Sequence, residues 1–337
     1  MKKTRKGRSW TIKRKKRKTK NNGGYGKIRG GKNSKTRNKR DNPTKKILEE
    51  VSHTNKLNCS PKQKGEVNEF SCYTDKTLYK LREHWNSRHP DAKINTNDTR
   101  EIHKMLAIYF KGVCNKESCW LKQKAEFGDI KNEMTDSFAP VSPEEWKKNP
   151  NEWLTSVDIM NVMKQYEKAY SCFDFLGPSP IDFDTRKLYG ECVWDELCNF
   201  NLVQHIKNGK MKIGMIFNTD PHYKQGQHWL SMFVDIKKCK IFFFDSVGNK
   251  IPKQVMVLVD RIKEQGLAMS NPINFEFDQN HPIEHQYSTT ECGIYSLFFI
   301  VHMLEDKITN EYLKTHILRD KYMENFRKIY FNDSINF

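Results

Sequence analysis

Nine cysteines are scattered through the 337 residues, and one of them has a setting that suits a nucleophile. A thiol attacks a carbonyl only as its thiolate, which at neutral pH requires a lowered pKa or an adjacent base. Cys292 lies between a polar run, His285-Gln286-Tyr287-Ser288-Thr289-Thr290-Glu291, and an apolar one, Ile294 to Ile300. Read as a helix, the apolar run puts the sulfur at an N-terminus, where free N–H groups and the dipole favour an anion. Gly293, next in line, allows a backbone or a substrate to come close. Cys239, by contrast, falls in a Lys-Lys-Cys-Lys turn and reads as solvent-facing.

The base must be a histidine that the fold brings to this thiol. His228 opens an apolar, strand-like run after the polar turn Tyr223 to Gln227, and Trp229 beside it can wall one side of the imidazole. Asp245 closes the next run, Ile241-Phe242-Phe243-Phe244. A tight turn at Lys237 to Cys239 would pair the two strands antiparallel and bring both side chains to one end of a sheet. There a carboxylate can accept the imidazole N–H and fix its tautomer. Gln286 can donate its amide N–H toward an oxyanion, alongside the backbone N–H of Cys292. Taken singly, each has an ordinary reading: a surface histidine, a turn aspartate in Asp-Ser-Val-Gly-Asn, a polar loop glutamine. The order His, Asp, Gln, Cys-Gly makes the set specific.

The elements that must position these residues are legible as patterns. Lys212 to Asn218, His228 to Ile236 and Lys240 to Asp245 are short and rich in β-branched and aromatic residues, with turn residues between them. A helix is expected over Lys253 to Gln265, a strand over Ile273 to Phe277, a long apolar helix over Cys292 to Glu305, and two amphipathic helices at the end. Upstream, Phe173 to Phe183 reads as an extended entry after an amphipathic helix at Ser156 to Tyr170. Helices over Asp75 to Arg88 and Asp98 to Lys111 have Asp75 and Asp98 as expected N-caps. Strands followed by helices without strict alternation point to an α+β fold.

Composition bounds the rest. Residues 1–48 carry 21 Lys or Arg against the single acid Asp41, whereas the other 289 residues hold 38 basic and 40 acidic groups. The excess positive charge is therefore confined to one tail, expected to be disordered. It fits a nuclear address, a packaging signal, an arm neutralising DNA or RNA, or a solubilising segment without a single partner. No apolar run approaches the roughly 18 residues of a membrane helix, and no apolar segment follows Met1-Lys2-Lys3, so neither membrane insertion nor secretion is expected. An odd, scattered set of cysteines in a long chain then argues against a disulfide framework and for a reducing compartment. Cys72, His103, Cys114 and Cys119 lack the spacing of paired zinc ligands and read as buried structural thiols. No metal or cofactor is called for.

His-Trp, an Asp or Asn about seventeen residues later, and Gln-x5-Cys-Gly opening an apolar helix resemble the SUMO-deconjugating cysteine proteases and the adenovirus protease. The chain most resembles the polyprotein protease of asfarviruses and its relatives in other large DNA viruses. The likeness lies in Phe217-Asn218-Thr219-Asp220, Gly226-x-His228-Trp229, Asp245-Ser246-x-Gly248-Asn249 and Gln286-x3-Thr290-Glu291-Cys292-Gly293. The Cys114 to Cys119 segment resembles the helical arm of that enzyme. The third member is Asn in the asfarvirus enzyme and Asp here, and both can orient an imidazole.

The resemblance implies a papain-like core permuted so that His precedes Cys, with a basic tail over 1–48, a helical arm over 49–138 and a protease core over 139–337. It implies catalytic His228, Asp245, Cys292 and Gln286, with Trp229, Asn218 and Gly293 on the substrate side. It further implies hydrolysis after Gly-Gly in virion precursor proteins, with the enzyme packaged at a cytoplasmic assembly site. On that specificity, Gly23-Gly24 and Gly30-Gly31 are candidate self-cleavage sites, or simply glycines of a flexible arm. The alternatives are a deconjugase acting on SUMO or ubiquitin conjugates, acyl transfer by the same residues, and a nucleic-acid-binding virion protein with a protease-like body.

Overall fold

Leu78, Leu81 and Trp85 recur at helical spacing, and they form the buried face of α1 (Asp75–Arg88). The computed structural model describes residues 58–62, 69–112, 114, 116–122, 130 and 134–332; the tail 1–48, with both Gly-Gly pairs, lies outside them. The cap of α1 is Thr74, not Asp75: its hydroxyl accepts from Thr77 N at 3.2 Å, which leaves Asp75 as a first-turn acid. Asp98 does cap α2 (Thr99–Phe110), accepting from Arg100 N at 2.8 Å and Glu101 N at 3.3 Å. Both helices pack with Trp120 and Phe138 into an apolar cluster of their own. Gln165 Nε2 donates to Phe138 O at 2.8 Å and so ties this arm to the next helix.

The expectation against disulfides, and of buried thiols at Cys72, Cys114 and Cys119, is corrected. Cys59–Cys72, Cys114–Cys119 and Cys192–Cys198 are disulfides, and Cys172, Cys239 and Cys292 are free. Cysteine count and spacing do not reveal which sulfurs the fold brings together.

The core runs α3 (Ser156–Ala169), β1 (Phe173–Pro180), α4 (Asp195–Cys198), α5 (Leu202–Lys207), β2 (Lys212–Asn218), β3 (Trp229–Asp235) and β4 (Lys240–Phe244). It continues with α6 (Lys253–Leu267), β5 (Glu276–Gln279), α7 (Cys292–Leu304), α8 (Asn310–Thr315) and α9 (Asp320–Tyr330). The five strands lie in chain order; β1 and β2 are parallel, β2-β3-β4 antiparallel, β4 and β5 parallel. The last strand starts later than Ile273, because Ile273 N bonds to Gly266 O and closes α6. The strand joins β4 from Glu276 onward, beginning where Glu276 N meets Cys239 O.

Alternate residues of the apolar strands enter opposite cores. Phe233, Phe242 and Phe244 face α3, α7 and α9, whereas Met232, Val234, Ile241 and Phe243 face α6 with Leu197 and Leu202. A sheet covered on both faces explains why these strands are apolar throughout rather than alternating. α7 is enclosed all round, with Phe299 stacked on Phe244 at 5.1 Å. The start of α7 is thereby held against the sheet end where β3 begins and β4 stops.

The turn leaving β4 depends on Gly248. Its φ is +74°, and a Cβ there would lie 2.7 Å from Ile283 O. Gly248→Ala is expected to cost at least ~1–2 kcal/mol for the left-handed backbone alone, read as a lowered midpoint in urea denaturation. A variant as stable as wild type would contradict this account of the turn.

Candidate active site

His228 immediately precedes β3 and Asp245 immediately follows β4. Ser231 pairs with Phe244 in the ladder, so one further step sets Asp245 opposite Leu230. His228 is then its diagonal neighbour on the same side of the pleat, within side-chain reach. His228 Nε2 meets Asp245 Oδ1 at 2.7 Å. Asp245 is buried, and its carboxylate also accepts from Val247 N at 3.1 Å and Asn249 N at 3.2 Å. Asn280, wholly buried, clamps its backbone from both sides: Asp245 N donates to Asn280 Oδ1 at 2.9 Å, and Asn280 Nδ2 donates to Asp245 O at 2.8 Å.

With Nε2 committed to Asp245, Nδ1 is the ring nitrogen left to serve Cys292, which together with Asp245 raises the imidazole pKa. Cys292 is the buried first residue of α7. Burial pulls the His228 pKa down, but the hydrogen bonds and charges of Asp245 and Cys292 outweigh it and raise the ring to about 9. Charge on the imidazole is thus favoured by both Asp245 and Cys292.

Gln286 is buried and fixed at both ends of its amide. Ser246 Oγ donates to Oε1 at 2.7 Å, Nε2 donates to Ser288 O at 3.0 Å, and Gln286 N donates to Ser246 O at 2.8 Å. A primary amide carries two hydrogens, so one remains beyond the bond to Ser288. The Ser246 contact sets which end of the amide donates.

Trp229 and Asn218 line a cleft of about 650 Å³ together with Leu154, Trp153 and Gly226. The indole is held by Nε1 donating to Leu154 O at 3.0 Å. Asn218 Oδ1 accepts from Asp220 N at 3.0 Å and Gln227 N at 3.2 Å, so this side chain also shapes the loop leading to His228. Gly293 packs against Leu154 of the same cleft. A Cβ there would lie 3.0 Å from Leu154 Cβ, so the close approach it permits is to Leu154, seating α7.

Asn280 and Ser246 were not singled out from the sequence. Ser246 stands inside the Asp-Ser-x-Gly-Asn run and carried a signal; Asn280 had none beyond being a polar residue after a strand. Among the described residues no three His, Cys, Asp or Glu side chains converge as metal ligands. The set Cys72, His103, Cys114, Cys119 is spent otherwise: its sulfurs are in disulfides, and His103 Nε2 faces Glu117 Oε1 at 3.1 Å. A thiol at a helix N-terminus, an imidazole, a buried carboxylate and an amide donor are the parts of nucleophilic acyl transfer.

Comparison with known proteins agrees with that chemistry. Residues 209–336 match the C-terminal catalytic domain of the Ulp1 protease family. The chain is 28% identical over 240 residues to a thiol protease of Acanthamoeba polyphaga mimivirus, covering 70% of this chain and 76% of that one. It is 28% identical over 252 residues to a cysteine protease of African swine fever virus, covering 66% of this chain and 90% of the viral one. In other isolates that viral protein is named a SUMO-1 cysteine protease. The fold is shared with the crystal structure of the African swine fever virus protease, at a TM-score of 0.61 and 22% identity over 85% of this chain and 99% of that one. Residues 209–336 are therefore similar to a catalytic domain of the Ulp1 protease type, and the chain is a cysteine peptidase.

Proposed function

We propose that Cys292 is the nucleophile, His228 its base, Asp245 the group that orients His228, and Gln286 an oxyanion donor. The observation that carries this is the 2.7 Å contact of Asp245 Oδ1 with His228 Nε2, on a ring whose pKa is raised by Asp245 and by the Cys292 thiol at the start of α7. His228 takes the Cys292 proton, and the sulfur adds to the substrate carbonyl. The resulting oxyanion is met by the free Gln286 N–H and the Cys292 backbone N–H. Collapse breaks the C–N bond, His228 returns the proton to the leaving amine, and water then cleaves the thioester.

The substrates we propose are proteins cut after Gly-Gly, chiefly structural precursors processed as a virus particle matures, with the enzyme in the particle and at its cytoplasmic assembly site. The viral relatives and the SUMO-1 name borne by some of them support this reading. That same name supports a second reading, release of SUMO-like modifiers from conjugates. Peptides of the form Gly-Gly-x and SUMO- and ubiquitin-fluorophores, tested side by side, separate the two. Cys292→Ala is expected to abolish turnover on whichever is cut, and Gln286→Ala to cost on the order of one hundredfold in kcat. Turnover that survives Cys292→Ala would end the assignment.

The raised His228 pKa also links folding to pH. Its partners exist only in the folded state, so the ring's contribution to stability is fully present below about 6.5 and is lost as pH rises through about 9. The stability difference between wild type and His228→Phe, from urea denaturation at a series of pH values, is therefore expected to shrink across that interval. A constant difference would mean that the ring is not held charged.

Residues 1–48, with 21 basic groups and one acid, supply a sequence-independent hold on DNA or RNA in this reading. Removing them is expected to abolish a steep decline of DNA affinity with salt. An unchanged affinity and salt slope would place any nucleic-acid contact elsewhere.

A further inference from the structure

Glu291, immediately before the thiol, has no part in the steps above. It occupies the N-cap position of α7, yet its side chain caps no N–H of that helix. A helix N-terminus favours one anion. When the Cys292 thiolate forms, an adjacent glutamate would make it two, and like charges oppose ionisation.

The second charge is met from the far end of the chain. Arg327, in α9, holds Glu291 as a two-pronged pair: Nε donates to Oε2 at 2.9 Å, and Nη2 donates to Oε1 at 2.9 Å. Both side chains are almost wholly enclosed, at 6% and 1% exposure. Arg327 Nη1 also donates to Glu152 O at 2.8 Å and Nη2 to Thr290 O at 3.3 Å, while the guanidinium lies 4.5 Å from the centre of the Trp146 ring. Of the ionisable groups around them, His228 acts on Cys292, the Tyr295 hydroxyl is 3.1 Å from Asp320 Oδ1, and the Glu152 carboxylate is held by Asn149 Nδ2 at 2.8 Å and Trp153 N at 3.2 Å. Stability alone does not call for such a pair, because a buried ion pair can often be replaced by apolar residues without loss.

We propose that Arg327 and Glu291 are positioning residues for the proteolytic reaction. Arg327 cancels the Glu291 charge, so the thiolate forms without a second unpaired anion beside it, and the pair pins the Thr290–Glu291 backbone that presents Cys292. This rests on Cys292 being the nucleophile.

The test is the pH midpoint for alkylation of Cys292 by iodoacetamide in the full chain, read peptide by peptide by mass spectrometry so that Cys172 and Cys239 are scored separately. Arg327→Met leaves the carboxylate unpaired and is expected to raise the midpoint by about one unit. Glu291→Gln, which keeps the shape, is expected to lower it. The double variant is expected to return it to the wild-type value. Arg327→Lys keeps the charge but not the fork, so the midpoint should hold while kcat/KM falls.

Equal midpoints in Arg327→Met and Glu291→Gln, with rates merely reduced, would overturn the proposal and leave the pair a structural tie. Should Arg327→Met fail to fold, Glu291→Gln and Arg327→Lys still decide by the same criterion. A wild-type Cys292 no more reactive than Cys172 or Cys239 would instead overturn the nucleophile assignment on which the proposal stands.

Discussion

A carboxylate buried at the end of the sheet governs the architecture around this site. Taking an ion of that size out of water costs several kcal/mol unless donors replace the solvent. Asp245 is given three donors: His228 and the backbone N–H groups of Val247 and Asn249. The two backbone donors exist only because the chain turns sharply after β4 through the left-handed Gly248. Asn280 then fastens the Asp245 backbone from the neighbouring segment. The imidazole orientation is thus a by-product of satisfying the acid. Among the described residues His228 is the one side-chain donor to the Asp245 carboxylate, and swinging it away would leave that carboxylate short of a partner.

The thiol is held by a different force. α7 has apolar contacts on every side, from Phe242 and Phe244 of the sheet to Phe326 of α9. Such a helix has no solvated face on which to slide or roll, and close packing resists displacements of even a methylene. Its first residue is therefore as fixed as its middle. The two halves of the site, one set by hydrogen bonds at a turn and one by apolar packing, meet where the open end of the β3-β4 hairpin faces the α7 N-terminus.

Much of this could be read from the sequence, for physical reasons. Strands enclosed on both faces leave continuous apolar runs, and a short turn between two of them determines which side chains share an end; His228 and Asp245 follow from that alone. Cys292 announces itself because a polar loop gives way abruptly to an apolar helix. Other features depended on contacts distant in sequence. Asn280 reaches back 35 residues to Asp245, and Arg327 reaches back 36 to Glu291. A lone Asn or Arg has no period that betrays its partner. The bridged cysteines belong to the same class, since pairing is a property of the folded chain. Gly293 shows a subtler gap: the need for a small residue was visible, but not that Leu154 was its cause. At α1, Thr74 and Asp75 are both good caps, and only the geometry of the first turn selects Thr74.

The distribution of charge in the site has its own logic. Three groups of this region can be anionic: Asp245, the Cys292 sulfur and Glu291, its neighbour in the chain. One imidazole cannot compensate three. His228 gives Nε2 to Asp245, and Cys292 is the other group that acts on its charge. Glu291 must then be answered by a cation that never gives up its proton and matches a carboxylate with two parallel donors, which describes arginine and not lysine. Arg327 supplies this from the last helix, so the C-terminal segment acts on the electrostatics of a thiol it does not touch. In the proposed mechanism the shuttling proton stays on His228, because the permanent cation is assigned to the acid that takes no part in proton transfer.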